Sequence, residues 1–443
     1  MFKKSLFNKS ALLGLALSAC SLPVVAQQSL YLLDDNLTVL DAQTGAITME
    51  VPNVGGGTGS GSSFVFESTN GQFLYASYHG GLTVTDLNSG VVARYPVSGS
   101  FGYIDKSQVD DYLYFAGADP SNPALRQLSK MDPNNGNIIA GYSVGEGINI
   151  ADIAVHPLGE KIYVLLHPLN NPYYDARIVV LETQTMTVTD EIMPRNQGVF
   201  IEYTSNMYMS NSGDKIVMTV SKSDPFFGTR YQAIINTADN SLVASDTHLA
   251  NGSPRGVGTT FSKDDSKLIS IVDRNSIQVY DIASESVVAN IALPLDINDA
   301  PADLTDVGVS YTSFDIHPNN NTLYAYGWDY HLDQNGYTNT EHLYKLVEVD
   351  LTTYTADKPT YTVPKGSFDQ FFAGEILFSR NSSNPGLEAK DVTASFVRCQ
   401  NYTTGQIVDF VPQPGETTWS CKDHGLLYSS GDDVLMAVRG NVQ

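Results

Sequence analysis

The sequence predicts an all-β chain: a seven-bladed β-propeller closed by a C-terminal inner strand, followed by a small disulfide-tied β-sandwich. Three observations predict this. A strand-turn-strand phrase recurs seven times, the first unit begins without an inner strand, and a lone inner strand follows the last unit. Repetition at roughly 45 to 70 residues with almost no helical pattern signals radial blades or a solenoid.

The phrase is an apolar run, an Asp or its substitute, a polar turn and a second apolar run. It places residues 37–40 before Asp41, 82–85 before Asp86, 128–131 before Asp132 and 178–181 before Glu182. It returns with 233–235 before Asn236, 277–280 before Asp281 and 346–349 before Asp350. The repeated acid reads as turn chemistry, because Asp and Asn side chains accept hydrogen bonds from backbone two residues on and tolerate turn dihedrals. Each unit carries two further strands upstream. An inner strand ends in a polar turn, as at 153–159, 208–214 and 314–319, and an aromatic and β-branched strand follows, as in Lys161-Ile162-Tyr163-Val164 and Thr322-Leu323-Tyr324. Such residues suit a half-buried pleated surface.

The first unit starts at its second strand, Ser29-Leu30-Tyr31-Leu32-Leu33, while an inner strand without a unit of its own lies at about residues 373–380. Pairing the two closes a ring of seven and leaves no open sheet edge. The predicted propeller therefore covers 27–383.

These strands and their His-Pro or Ser-Asn turns before "IYVLL" and "TLYAY" resemble the YVTN-type seven-bladed propellers over residues 29 to 380. That superfamily includes the heavy chains of quinoprotein amine dehydrogenases and lactonases of the phosphogluconolactonase type. The resemblance implies a fold more than an activity, since the matching residues are strand and turn residues. The chain departs from the redox members: it has no Cys-x-x-Cys-His haem attachment, and its three cysteines cannot supply a cysteine-rich quinone-bearing domain.

Residues 1–26 read as a secretion signal, with Lys3 and Lys4 before an apolar stretch and a small-residue site ending at Ala26. The alternative is a lipobox at Leu17-Ser18-Ala19-Cys20, which would make Cys20 a lipid anchor of the outer membrane. Ordinary cleavage makes the expected location periplasmic or secreted, the lipobox an outer-membrane lipoprotein, and no run is long enough for a transmembrane segment. Cleavage removes Lys3, Lys4 and Lys9 and no acid, taking the charge from −23 to −26. Such a surface disfavours nucleic acid and anionic lipid as partners. The chain reads as a monomer.

An exported chain should pair Cys399 with Cys421. Short alternating runs at 392–397, 406–411, 416–420 and 434–438 place that bridge in a module at 386–443, read as a β-sandwich or immunoglobulin-like fold.

Function in a propeller gathers at one mouth of the channel, on loops between second and third strands. Units four, five and seven have long ones, with His167, Tyr173, Tyr174 and Arg177 in the fourth, Phe226, Phe227, Arg230 and Tyr231 in the fifth, and Trp328, Asp329, Tyr330 and His331 in the seventh. The repeat aligns His79 of the second unit with His167. Aromatic rings beside Asp, His and Arg suit a glycan platform, and they equally suit small satellite cores within the loops. The expected role is a binding or interaction module for a glycan or protein. An enzyme alternative is a polysaccharide lyase using His79, His167, Tyr174 and Arg177, in which His and Tyr move the proton beside a uronate and Arg neutralises its carboxylate. Further alternatives are a lactonase-like hydrolase and a heavy-chain-like scaffold of a redox complex. No cofactor is expected. Asp296, Asp299, Asp303 and Asp306 offer oxygen ligands for Ca²⁺ at a spacing unlike the EF-hand, or form a solvated connector.

Overall fold

The computed structural model describes residues 29–33, 37–41, 47–52, 54, 65–78, 81–96, 103–119, 122–170, 175–201, 207–221, 230–248, 259–272, 276–293, 306–316, 321–332, 338–339, 344–356, 361–363, 369–373, 376–381, 388–390, 394–401, 404–413, 418–427 and 434–440. Among them the chain is all β apart from one 3-10 turn, Pro194–Gln197. The expected signal and lipobox lie outside the described residues. No helix among the described residues is long and apolar enough to cross a membrane.

The described strands form eight antiparallel sheets. The first has three strands among the described residues, Ser29–Leu33, Leu37–Asp41 and Ile47–Val51. The second runs Val65–Glu67, Phe73–Tyr78, Gly81–Asp86, Val92–Pro96, and the third runs Ile104–Lys106, Leu113–Asp119, Asn122–Asp132, Asn137–Ser143. The fourth is Ile148–Val155, Lys161–Pro168, Arg177–Glu182, Val188–Ile192. In the fifth, Phe200–Ile201 and Tyr208–Met209 share the inner place beside Lys215–Ser221, followed by Arg230–Asn236 and Ser241–His248. The sixth is Thr259–Phe261, Lys267–Val272, Ser276–Asp281, Ser286–Ala292.

The second to sixth sheets each bury both faces against their neighbours in the series. Leu37, Val39 and Leu74 pack between the first and second sheets, and Tyr75, Leu82 and Phe115 between the second and third. Leu128, Ile162 and Leu166 fill the next seam, and Leu165, Ile178 and Met218 the one after. Val217, Phe261 and Leu268 join fifth to sixth, and Ile269, Leu323 and Val347 sixth to seventh. Alternation along each strand sends successive residues to opposite seams, which is why these strands read as continuous apolar runs.

Polar groups lock the same seams. Lys130 Nζ donates to Thr183 O at 3.1 Å and lies 4.1 Å from the centre of the Tyr112 ring, and Lys161 Nζ reaches across to Thr237 O at 3.0 Å. The buried Tyr163 hydroxyl donates to Asn240 Oδ1 at 2.9 Å. Replacing Tyr163 with Phe is expected to cost about 1 kcal/mol, the usual net worth of a buried hydrogen bond, read from the urea midpoint. The turn acids behave as expected: Asp86 takes the N–H groups of Asn88 and Ser89, Asp132 that of Asn134, and Asp350 those of Thr352 and Thr353.

The C-terminal region departs from the expected arrangement. Ile376–Asn381, the strand assigned to complete the first sheet, has Asp369–Ala373 on one edge and Val434–Gly440 on the other. A strand has two hydrogen-bonding edges, so none remains for the first sheet. Together with Ala394–Asn401 and Ile407–Phe410 these strands make an eighth sheet. The remaining C-terminal strands, Glu388–Lys390 and Thr418–Ser420, continue the seventh sheet, Asp306–Ile316, Thr322–Leu332, Tyr344–Asp350, Tyr361–Val363, at its outer rim. The runs assigned to a separate sandwich thus pair with sheets on either side of the expected boundary. The Cys399–Cys421 disulfide is present, with Cα atoms 5.8 Å apart.

Candidate functional site

In each four-stranded sheet the antiparallel order puts the end of the second strand and the start of the third at the same end as the start of the inner strand. In the fourth sheet Lys161–Pro168 and Arg177–Glu182 meet there, with Leu166 directly opposite Arg177 and His167 opposite Asn149. Paired residues share a face and successive residues alternate, so His167 and Arg177 occupy opposite faces. The packing agrees: Leu166 belongs to the core shared with the third sheet and Leu165 to that shared with the fifth. Arg177 extends toward the outer strand of its own sheet, where its Nε lies 2.8 Å from Glu191 Oε1. Tyr142 of the third sheet senses both charges; burial raises its pKa most, Arg177 lowers it and Glu191 raises it.

His167 is fully buried on the face toward the fifth sheet. There Tyr231, half-buried and paired with Val220, packs against the same core. Arg230 opens the strand Arg230–Asn236 opposite Ser221. Asp175 and Arg195 form an exposed ion pair at 2.8 Å. His79, Tyr173, Tyr174, Phe226 and Phe227 lie outside the described residues.

Trp328, Asp329, Tyr330 and His331 stand on a strand, not in a loop. They continue Thr322–Leu332 opposite Ser310, Val309, Gly308 and Val307, and His331 also pairs with Asn339 of the short strand Thr338–Asn339. Asp306, assigned to the acidic run, opens the other arm of this hairpin. The rest of that run, 296–303, is outside the described residues. Among the described residues no group of three His, Cys, Asp or Glu could hold a metal ion.

Two acids outside the loops singled out by sequence are strongly held. Asp105 sits on the inner strand of the third sheet and Asp152 on that of the fourth, and each accepts a backbone N–H from the next sheet. Val155 N–H donates to Asp105 Oδ2 at 2.8 Å, and Met207 N–H to Asp152 Oδ2 at 2.6 Å. Their other oxygens take the N–H groups of Lys106 and Ile153. Burial raises the Asp105 pKa despite those donors and the Lys106 ammonium. Burial likewise raises Asp152, to about 6, with the Asp105 charge adding to the rise. Asp152 interrupts the apolar run of Ile148–Val155, whereas Asp105, in the short strand Ile104–Lys106, carries no such signal. These groups hold adjacent sheets by their inner strands.

No known protein-family description matches the sequence, and no curated protein matches it. Solved structures do. A dihydro-heme d1 dehydrogenase, NirN, in complex with DHE is similar over 88% of this chain and 74% of its own, with a TM-score of 0.54 at 12% identity. The β-propeller domain of Cps50 (Swd1) from Myceliophteria thermophila matches 66% of this chain and 86% of its own, with a TM-score of 0.43 at 11% identity. The chain has a β-propeller fold. At such identity the likeness speaks to fold alone.

Proposed function

We propose that this is an exported binding propeller that meets a glycan or protein ligand at the loop-bearing end of its sheets. The observation that supports it is the hairpin of the seventh sheet. Its arms, Asp306–Ile316 and Thr322–Leu332, are 11 residues each, against 8 and 8 for the corresponding strands of the fourth sheet, Ile148–Val155 and Lys161–Pro168. The added length carries Trp-Asp-Tyr-His on a paired strand, a composition suited to stacking on sugar rings or anchoring a protein hot spot. Strand pairing fixes such residues more firmly than a loop would, lowering the ordering cost of binding. Of the eliminative set, His167 and Arg177 face different seams, while His79 and Tyr174 lie outside the described residues. Export rests on the expected signal and the disulfide, which persists in oxidising compartments.

The test is retention of the purified chain in gels containing acidic or neutral polysaccharides, run beside ultraviolet detection of unsaturated uronate. Retention without new absorbance is expected, weakened roughly tenfold or more by Trp328→Ala with Tyr330→Ala. Retention untouched by that double variant would remove the hairpin as the site. Rising absorbance with one polysaccharide would replace the binding reading with an eliminating enzyme.

A further inference from the structure

We propose that the eighth sheet closes the ring against the first sheet, and that the Cys399–Cys421 disulfide is the clasp that holds this closing sheet in place. The strand Ala394–Asn401 carries the argument, because consecutive residues on it face opposite ways. Cys399, fully buried, is bonded to Cys421, which directly follows the rim strand Thr418–Ser420 of the seventh sheet. Gln400, 3% exposed, points the other way, and its Nε2 donates to Glu50 Oε1 at 3.4 Å on the outer strand of the first sheet. One strand thus touches the seventh sheet's extension with one side chain and the first sheet with the next.

The clasp is more than one bond. Gln406 Nε2 donates to Gly425 O at 2.7 Å while its Oε1 accepts from Leu427 N–H at 3.0 Å. Asn401 Nδ2 reaches Leu427 O at 2.9 Å, and the Phe410 and His424 rings stack 3.6 Å apart. The segment after Cys421 is therefore laced to the two outermost strands of the eighth sheet. On the opposite face, the contact with Glu50 joins residues 350 positions apart, a separation that gives closure a large chain-entropy cost. A covalent tie that keeps the eighth sheet on the seventh reduces the freedom lost when it meets the first.

The test uses the full chain with Cys20→Ala, carrying Glu50→Cys and Gln400→Cys and treated with a short bismaleimide. Cross-linking within one chain is expected, seen as fragments that stay joined after a cut between the two positions. Both cysteines reactive but unlinked, or linked only between chains, would overturn ring closure. In a Cys399→Ala/Cys421→Ala background the intrachain yield is expected to fall about fivefold or more, and an unchanged yield would overturn the clasp. If that background loses its β-sheet circular dichroism, hydrogen exchange on the wild-type chain, with and without a dithiol reductant, decides. Protection should drop about tenfold at 47–51 and 394–401 while 161–168 holds, and equal loss everywhere or nowhere would overturn the clasp.

Discussion

Gly136→Ala is expected to destabilise the propeller by about 3 kcal/mol, one of the largest effects of a single added methyl group in this chain. Gly136 closes the turn after the third strand of the third sheet at φ +69, where a Cβ strains the backbone by about 1 kcal/mol. The methyl would also lie 2.4 Å from both Cβ and Cγ of Tyr95. That ring cannot swing aside. Its root is fixed in the strand Val92–Pro96 and it packs on the seam between second and third sheets, while its hydroxyl donates to Asn134 O at 2.8 Å. Gly147→Ala is the control, because φ is +71 there and nothing lies within 4 Å of the added carbon. Urea unfolding of the two variants separates strain from close approach. Gly136→Ala should shift the midpoint about three times as far, and equal shifts would mean that Tyr95 yields.

The contrast between local and distant partners explains what could be read from residues alone. Asp86, Asp132 and Asp350 were legible because each carboxylate is satisfied two or three residues away. The strands preceding them were legible for a similar reason, since both faces are buried and the apolar run is unbroken. Asp105 and Asp152 were not, because their deciding partners are backbone groups 50 and 55 residues downstream. The C-terminal strands were found nearly where they lie, yet assigned wrong neighbours. Nothing local to Ile376–Asn381 states that Val434–Gly440 will take its second edge. His167 and Arg177 looked like partners by proximity in sequence, but the register that pairs Leu166 with Arg177 sends them to opposite seams. Trp328 to His331 looked like loop residues because polar and aromatic side chains interrupt the run, although the backbone stays paired through Leu332.

The inner-strand acids make stability depend on pH in an unusual direction. Asp152 has a folded pKa raised to about 6 by burial and by the Asp105 charge, above the ordinary carboxylate value near 4. A raised value means that the folded state holds the proton more tightly than the unfolded chain. Its stabilising contribution is then complete below the unfolded pKa and is lost as pH rises through about 6. Between about pH 5 and 7.5 the loss from Asp152 is about 1 kcal/mol, and Asp105, also raised by burial, acts with the same sign wherever it titrates. The surface turn acids run the other way. Asp264, lowered to about 2 by the hydroxyls of Ser262 and Ser266, contributes stability that fades only as pH falls below the ordinary carboxylate range. It is silent in the window where Asp152 titrates. Asp152→Asn should therefore flatten much of the slope of urea stability against pH between those limits, since an amide has no charge to desolvate. Asp152→Ala should flatten it too, but at about 3 kcal/mol lower stability throughout, because the N–H groups of Met207 and Ile153 lose their acceptor. An Asn variant that kept the wild-type slope would mean that the proton resides elsewhere, with Asp105 the first alternative. An Ala variant as stable as Asn would mean that water replaces the carboxylate between the fourth and fifth sheets, and that these inner-strand acids do not join them.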